Sequence, residues 1–438
     1  MMCLTNRRRQ TSMNPFTCML AALLVARAGA QLWLARLNRR HTRAHAHEVP
    51  EPFRGFLSPD VYAKSVAYTL AKNGLQQVGI VADLLGLGLV LFSGWLPRAF
   101  LAFSRHAGSS LPAQAAFLLL VAGAIGLAGW PLEWYAQFRL ETRFGFNATT
   151  HKTWWLDRLK GTALAVGLGY PLLWLLLHLA EWSGRGWWLW VWASTLTFQA
   201  LVLVLAPVLI LPLFNKFTPL PEGSLRQRLL ALAAQTRFSA RNIQVMDGSK
   251  RSRHSNAFFT GFGRFRKIVL FDTLIEQLAE TELAAVLAHE IGHYRRKHIL
   301  KFLIAGALGS LAGCYALSVL ADAPWFYGAL GFGSGTPRSI AFLLFGLLAG
   351  TVTFWLSPVA SFWSRRFEYQ ADAFAAETMG ETTSLIGALR KLNEKNLSHL
   401  TPHPLYSGFY YSHPTLLERE QALTRYGVRN AECGMRNP

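Results

Sequence analysis

The stretch Leu283 to His298, LAAVLAHEIGHYRRKH, sets His289 and His293 four residues apart, with Glu290 directly after the first histidine. On an α-helix such a pair lies about 40° apart in projection and one turn apart along the axis, so both imidazoles face one way and can grip one zinc ion. Glu290 points to the neighbouring side. There its carboxylate can reach a metal-held water without ligating the metal, acting first as general base and then as proton donor. A catalytic zinc takes three protein ligands and keeps a fourth position open, so a further ligand is needed. His298, nine residues beyond His289, falls on the opposite face of a continuous helix and is set aside. The longer HExxHxxGxxH pattern also fails, because Arg296 and Ile299 stand where Gly and His are required. The stretch WSRRFEYQADAFAAE, from Trp363, offers Glu368 and Asp372, four apart on one helical face. One carboxylate would serve the metal, and Asp372 could accept the second N–H of a ligand imidazole.

These groups need elements to position them. Asp272 is expected to cap a helix over TLIEQLAE and Thr281 a second over the HExxH run, whose basic end at Arg295, Arg296 and Lys297 suits the negative end of the helix dipole. Around this segment the chain reads as a membrane protein: of 438 residues 52% are hydrophobic and 16% charged, and several windows reach the roughly 20 apolar residues that cross a bilayer. Spans are expected near Thr17–Leu37, Gln77–Phe103, Leu111–Gln137, Gly161–Trp182, Gly186–Phe214, Ile299–Leu320 and Ser339–Trp363. The odd loops are rich in Lys and Arg and the even ones are not, which places odd loops, the 215–301 segment and the C-terminal tail in the cytoplasm. The run Arg7 to Arg9 stands against that orientation and is outweighed by the sum over the loops. The chain then divides into residues 1–214 with five spans, 215–298 with the HExxH helix, 299–363 with two spans, and 364–438 with the remaining site residues. The net charge of +20 follows from positive-inside loops on anionic lipid rather than from nucleic-acid binding. Four cysteines with no CxxC pair support neither a disulfide framework nor a zinc ribbon.

Four motifs in order, HSNAFFTGFGRFRKIVLFDTLI from His254, HEIGH from His289, EYQAD from Glu368 and SHPTLLER from Ser412, resemble the integral-membrane CAAX prenyl endopeptidases, zinc metalloproteases of the gluzincin kind. The resemblance implies a mainly α, polytopic protein in the endoplasmic reticulum or bacterial inner membrane, with about seven transmembrane helices around a water-filled chamber. A zincin-like cytoplasmic catalytic domain would carry a small β-sheet. It further implies one zinc per chain on His289, His293 and Glu368, with Glu290 activating water and Asp372 supporting a ligand. Asn256 would hold substrate backbone along an edge strand, His413 would stabilise the oxyanion, and Arg419 would contact the substrate or support the ligands. RKIVLFD reads as a strand on its own composition and could offer unpaired backbone groups to a peptide. His254 reads as a strand-end residue rather than a fourth ligand. Asp83, Glu133 and His178 lie in spans, where facing a wet cavity relieves their cost.

The expected substrate is a peptide or protein, by resemblance one cut near a prenylated C-terminal cysteine. Two other functions fit parts of the pattern. A heat-shock-type quality-control protease shares HExxH and the later carboxylate but has fewer spans. A zinc-containing membrane transporter or scaffold would need neither an open metal position nor Glu290.

Overall fold

The computed structural model describes residues 14–238, 242–255, 257–260 and 267–434; the Arg7–Arg9 run and Asn256 lie outside them. Seven of the described helices are long and apolar enough to cross a membrane: Pro15–Ala44 (α1), Pro59–Phe92 (α2), Leu111–Phe144, His151–Trp182, Gly184–Phe214, His298–Ala321 and Arg338–Met379. The second span differs from expectation. Instead of running to Phe103 it stops at Phe92, because Gly94 takes the left-handed conformation (φ 69°) and Trp95–Ala107 forms a separate helix. The last span is longer than expected and continues through one 3-10 turn into Ser357–Met379, so the segment carrying Glu368 is an unbroken extension of a membrane helix.

The two largest packed cores lie at opposite ends of the helices. One joins Phe53, Tyr62 and Val66 to Leu229, Leu283, Ile291, Ala388 and Leu423; the other gathers Leu20, Leu24, Leu91, Trp187, Phe326 and Ile340. Val66 and Leu91 belong to the same helix, so the cores are about 37 Å apart along its axis. The charged residues inside the spans are paired, Asp83 with Arg27 at 2.9 Å and Glu133 with Arg158, while His178 stacks on Trp174. At the first core, α1 and α2 are tied to residues 397–403: Asn38 Oδ1 accepts from the His403 N–H at 3.0 Å and Ser65 donates to the Ser398 carbonyl at 2.7 Å. Both soluble pieces therefore sit on the side of the membrane that carries the basic first loop.

The small sheet has four strands, Phe217–Pro219 (β1), Asn242–Met246 (β2), Ala257–Thr260 (β3) and Lys267–Phe271 (β4), in the order β1-β2-β4-β3. The RKIVLFD strand is thus not an edge. It pairs in parallel with β2 and antiparallel with β3, and Ile268, Val269 and Leu270 are all buried. An unbroken apolar run of this kind marks a strand covered on both faces. The edges are β1 and β3, and β3 follows Asn256 directly in the sequence.

Candidate active site

The HExxH helix spans Glu280–Arg295. Thr281 does not cap it. Its N-cap is Ala279, whose backbone N–H is held by the Glu282 carboxylate at 2.8 Å, leaving Thr281 inside the first turn. Asp272 likewise lies inside its own helix, as the first residue after Phe271. Ala284, Ala285, Ala288 and Ile291 bury the inner face of the HExxH helix, and Gly292 brings it against the Ser357–Met379 helix. A β-carbon on Gly292 would sit 3.0 Å from the Ala371 Cα and 3.1 Å from its carbonyl oxygen. The glycine's room is filled by the backbone of the helix that bears Glu368.

That approach closes the site. His289 Nε2 and His293 Nε2 are 3.2 Å apart, and the Glu368 carboxylate lies 3.4 Å from the first and 3.2 Å from the second. One ligand atom from each of His289, His293 and Glu368 falls within 4.8 Å of the others, and among the described residues they form the group able to hold a metal. Glu368 is 3% exposed, and its Oε2 is buried with no well-aimed hydrogen-bond donor, although His413 Nδ1 lies 2.9 Å away. A buried carboxylate with one oxygen against His289 and the other against His293 is a donor set that fits a divalent cation.

The outer nitrogens of both histidines are held. His289 Nδ1 lies 2.8 Å from Asp372 Oδ1, and Arg419 donates to both oxygens of Asp372, at 2.5 and 2.9 Å. Burial works against a charge on His289, yet the Asp372 and Glu368 carboxylates push its imidazole up to about 9. Burial also raises the Glu290 carboxyl above its ordinary range, only partly offset by His289 and His293.

His298 holds the second histidine, which the sequence reading missed. The HExxH helix ends at Arg295, Lys297 turns left-handed (φ 57°) and a new helix starts at His298, so a continuous helical wheel does not apply. The break returns His298 to the site, with its Nδ1 3.1 Å from His293 Nδ1 and its Nε2 3.0 Å from Gln370 Oε1, while its ring stacks on Phe367. It stands behind His293 rather than in the group of His289, His293 and Glu368. A neutral His298 that donates to Gln370 must accept the N–H of His293, which leaves His293 Nε2 free for a metal.

His413 precedes the Leu416–Gly434 helix and is exposed. It opens onto a cavity of about 830 Å³ lined by Asn38, Lys72, Asn73 and Gln76 of the first two spans and by Arg419. His254 stays clear of the metal group, its Nδ1 3.1 Å from Asn396 Oδ1 and its ring stacked on Phe146.

Comparisons with known proteins place these observations. Residues 38–216 match the family described as CAAX prenyl protease N-terminal, five membrane helices, and residues 219–426 match peptidase family M48. The chain is 35% identical to CAAX prenyl protease 1 homolog of Arabidopsis thaliana, with 88% of this chain and 92% of the relative covered. It is 33% identical to CAAX prenyl protease 1 of Saccharomyces cerevisiae (93% and 95% covered) and 32% to the Homo sapiens homolog (90% and 92%). The crystal structure of S. mikatae Ste24p superposes with a TM-score of 0.87 at 32% identity, covering 94% of this chain and 99% of that one. The chain belongs to peptidase family M48, as a multi-pass membrane metallopeptidase that joins the five-helix N-terminal region of the CAAX prenyl proteases to an M48 domain.

Proposed function

We propose that the chain is a zinc endopeptidase holding one zinc per chain on His289, His293 and Glu368. Its substrate is a peptide or protein cut near a prenylated C-terminal cysteine. The observation that carries the reading is the convergence of one ligand atom from each of the three residues within 4.8 Å, with Asp372 behind His289. The substrate class rests on the relatives, which are named CAAX prenyl proteases. The relatives and the basic first loop, beside which the soluble pieces pack, support a catalytic side facing the cytoplasm of an endoplasmic reticulum or bacterial inner membrane.

Zinc held by these three residues would supply the acidification of a water molecule and the polarisation of the scissile carbonyl. The remaining steps belong to side chains. Glu290, its carboxyl raised by burial, takes the proton from the attacking water and later delivers it to the leaving amine. His413, exposed at the cavity wall, donates to the carbonyl oxygen as negative charge develops on it. Asp372, fixed by Arg419, keeps the His289 N–H pointed away from the metal. In this reading Arg419 acts through Asp372 rather than on substrate. The substrate backbone adds along β3, the strand that Asn256 precedes in the sequence.

Glu290→Gln is expected to abolish cleavage of a prenylated peptide ending in a CAAX sequence while leaving zinc content near one per chain. Wild-type cleavage by that variant would refute the role of Glu290. Equal cleavage of the peptide without its prenyl group would refute the substrate class.

A further inference from the structure

The two faces of α1 near its C-terminal end carry different chemistry. Asn38 lines the cavity that reaches His413, whereas Arg36, Arg40 and Arg43 lie roughly 140 to 160° around the helix from it. On α2 the division repeats, with Gln76 on the His413 cavity and Gln77 on a second one. This second cavity, of about 590 Å³, lies on the outer side of the helix pair and is lined by Trp33, Arg36, Leu37, Arg39, Arg40, Arg43 and Gln77, with no carboxylate among them.

The arginines lack counter-charges of their own. Among the described residues none of these four guanidiniums has an ion pair or hydrogen bond, and Arg39 Nε is buried without a partner. By contrast Arg27, Arg158, Arg251, Arg338, Arg390 and Arg419 each pair with a carboxylate. Like charges three, four and seven residues apart on one helix repel. An anion from outside the chain would relieve that repulsion, and a phosphate matches the guanidinium fork.

The rest of the lining says which anion. Trp33, 55% exposed, and Leu37 give the cavity an apolar wall on the bilayer side of the arginines, as expected at the headgroup level of a membrane. We infer that this groove binds an anionic phospholipid, its headgroup phosphate among Arg36, Arg39, Arg40 and Arg43 and its chains against Trp33 and Leu37. The same helix end is tied to the soluble lobe through Asn38 with His403 and Thr42 with His399. The lipid therefore belongs to the leaflet on the metal-site side.

The test is native mass spectrometry of the full-length protein in detergent, titrated with phosphatidylglycerol or with phosphatidylcholine of the same chains. The triple variant Arg36→Gln, Arg40→Gln, Arg43→Gln is run beside the wild type. The wild type is expected to retain phosphatidylglycerol preferentially, and the variant to retain it about 100-fold more weakly, the combined effect of three charges at an anionic surface. Peptide cleavage in phosphatidylcholine reports that the variant is folded. Should it fail there, Arg40→Gln alone is used, with about fivefold weaker retention expected. Equal retention of the two lipids, or unchanged retention by the variant, overturns the inference. So does full competition by glycerol phosphate or by a polyglutamate peptide, which would mark a soluble phosphate site or an acidic-protein site instead.

Discussion

Gly292→Ala tests how the metal group is assembled. The added methyl would begin 3.0 Å from Ala371 Cα, 3.1 Å from its carbonyl oxygen and 3.2 Å from Phe374 Cβ. Non-bonded carbon atoms prefer roughly 3.5 to 4.0 Å, so the two helices must part by on the order of 0.5 to 1 Å. His289 and His293 ride on one helix and Glu368 on the other, so the displacement falls directly on the ligand distances. Metal sites hold those distances to about ±0.2 Å. Overpacking of this kind costs about 1 to 3 kcal/mol, which predicts zinc affinity reduced roughly 5- to 150-fold. Cleavage under saturating zinc should fall by up to about 100-fold, since small misplacements at a reacting centre are amplified. Affinity is read by chelator competition on purified protein, and activity by peptide cleavage with and without added zinc. A second substitution, Ala371→Gly, should give no rescue, because the clash is with main chain and not with the alanine methyl. Wild-type zinc retention and turnover in Gly292→Ala would refute the claim that this contact sets the site.

Asp372→Asn removes the anion behind His289 and leaves buried Arg419 without its bidentate partner; zinc affinity should drop 10- to 100-fold or more, measured by chelator competition. His298→Ala frees His293 Nδ1 and should weaken zinc about tenfold with little change in KM, whereas a residue serving only the span's stability would leave zinc affinity unchanged. Zinc binding should also depend on pH. The metal-free protein prefers charged His289 up to about pH 9, so a cation must displace that proton at neutral pH. Apparent affinity should rise by up to about tenfold per pH unit from 7 to 9 and then level off, and a flat profile would refute the protonated metal-free state.

Much of the site was legible because its signal is local. HExxH fixes two imidazoles by helical spacing alone, and Glu368 with Asp372 repeats the same four-residue logic. What escaped was set by backbone events and by distant pairing. The left-handed turn at Lys297 has no glycine to announce it, so His298 was placed on a helix that had already ended. Gly94, by contrast, was a visible breaker inside the second expected span, and the apolar run to Phe103 concealed it. The order of strands depends on a parallel pairing between β2 and β4, about 25 residues apart, which no local pattern encodes. Its one trace was the absence of alternation in KIVLF.

The unbroken course of the last membrane helix, from Arg338 to Met379, makes the lipid bilayer a mechanical part of the site. Glu368 is held on the extension of one span, and the helix of His289 and His293 runs through Arg296 and Lys297 into another, His298–Ala321. A bilayer that shifts one span against the other is therefore expected to change turnover without any substitution at a catalytic side chain, as read by peptide cleavage in vesicles of different acyl-chain length.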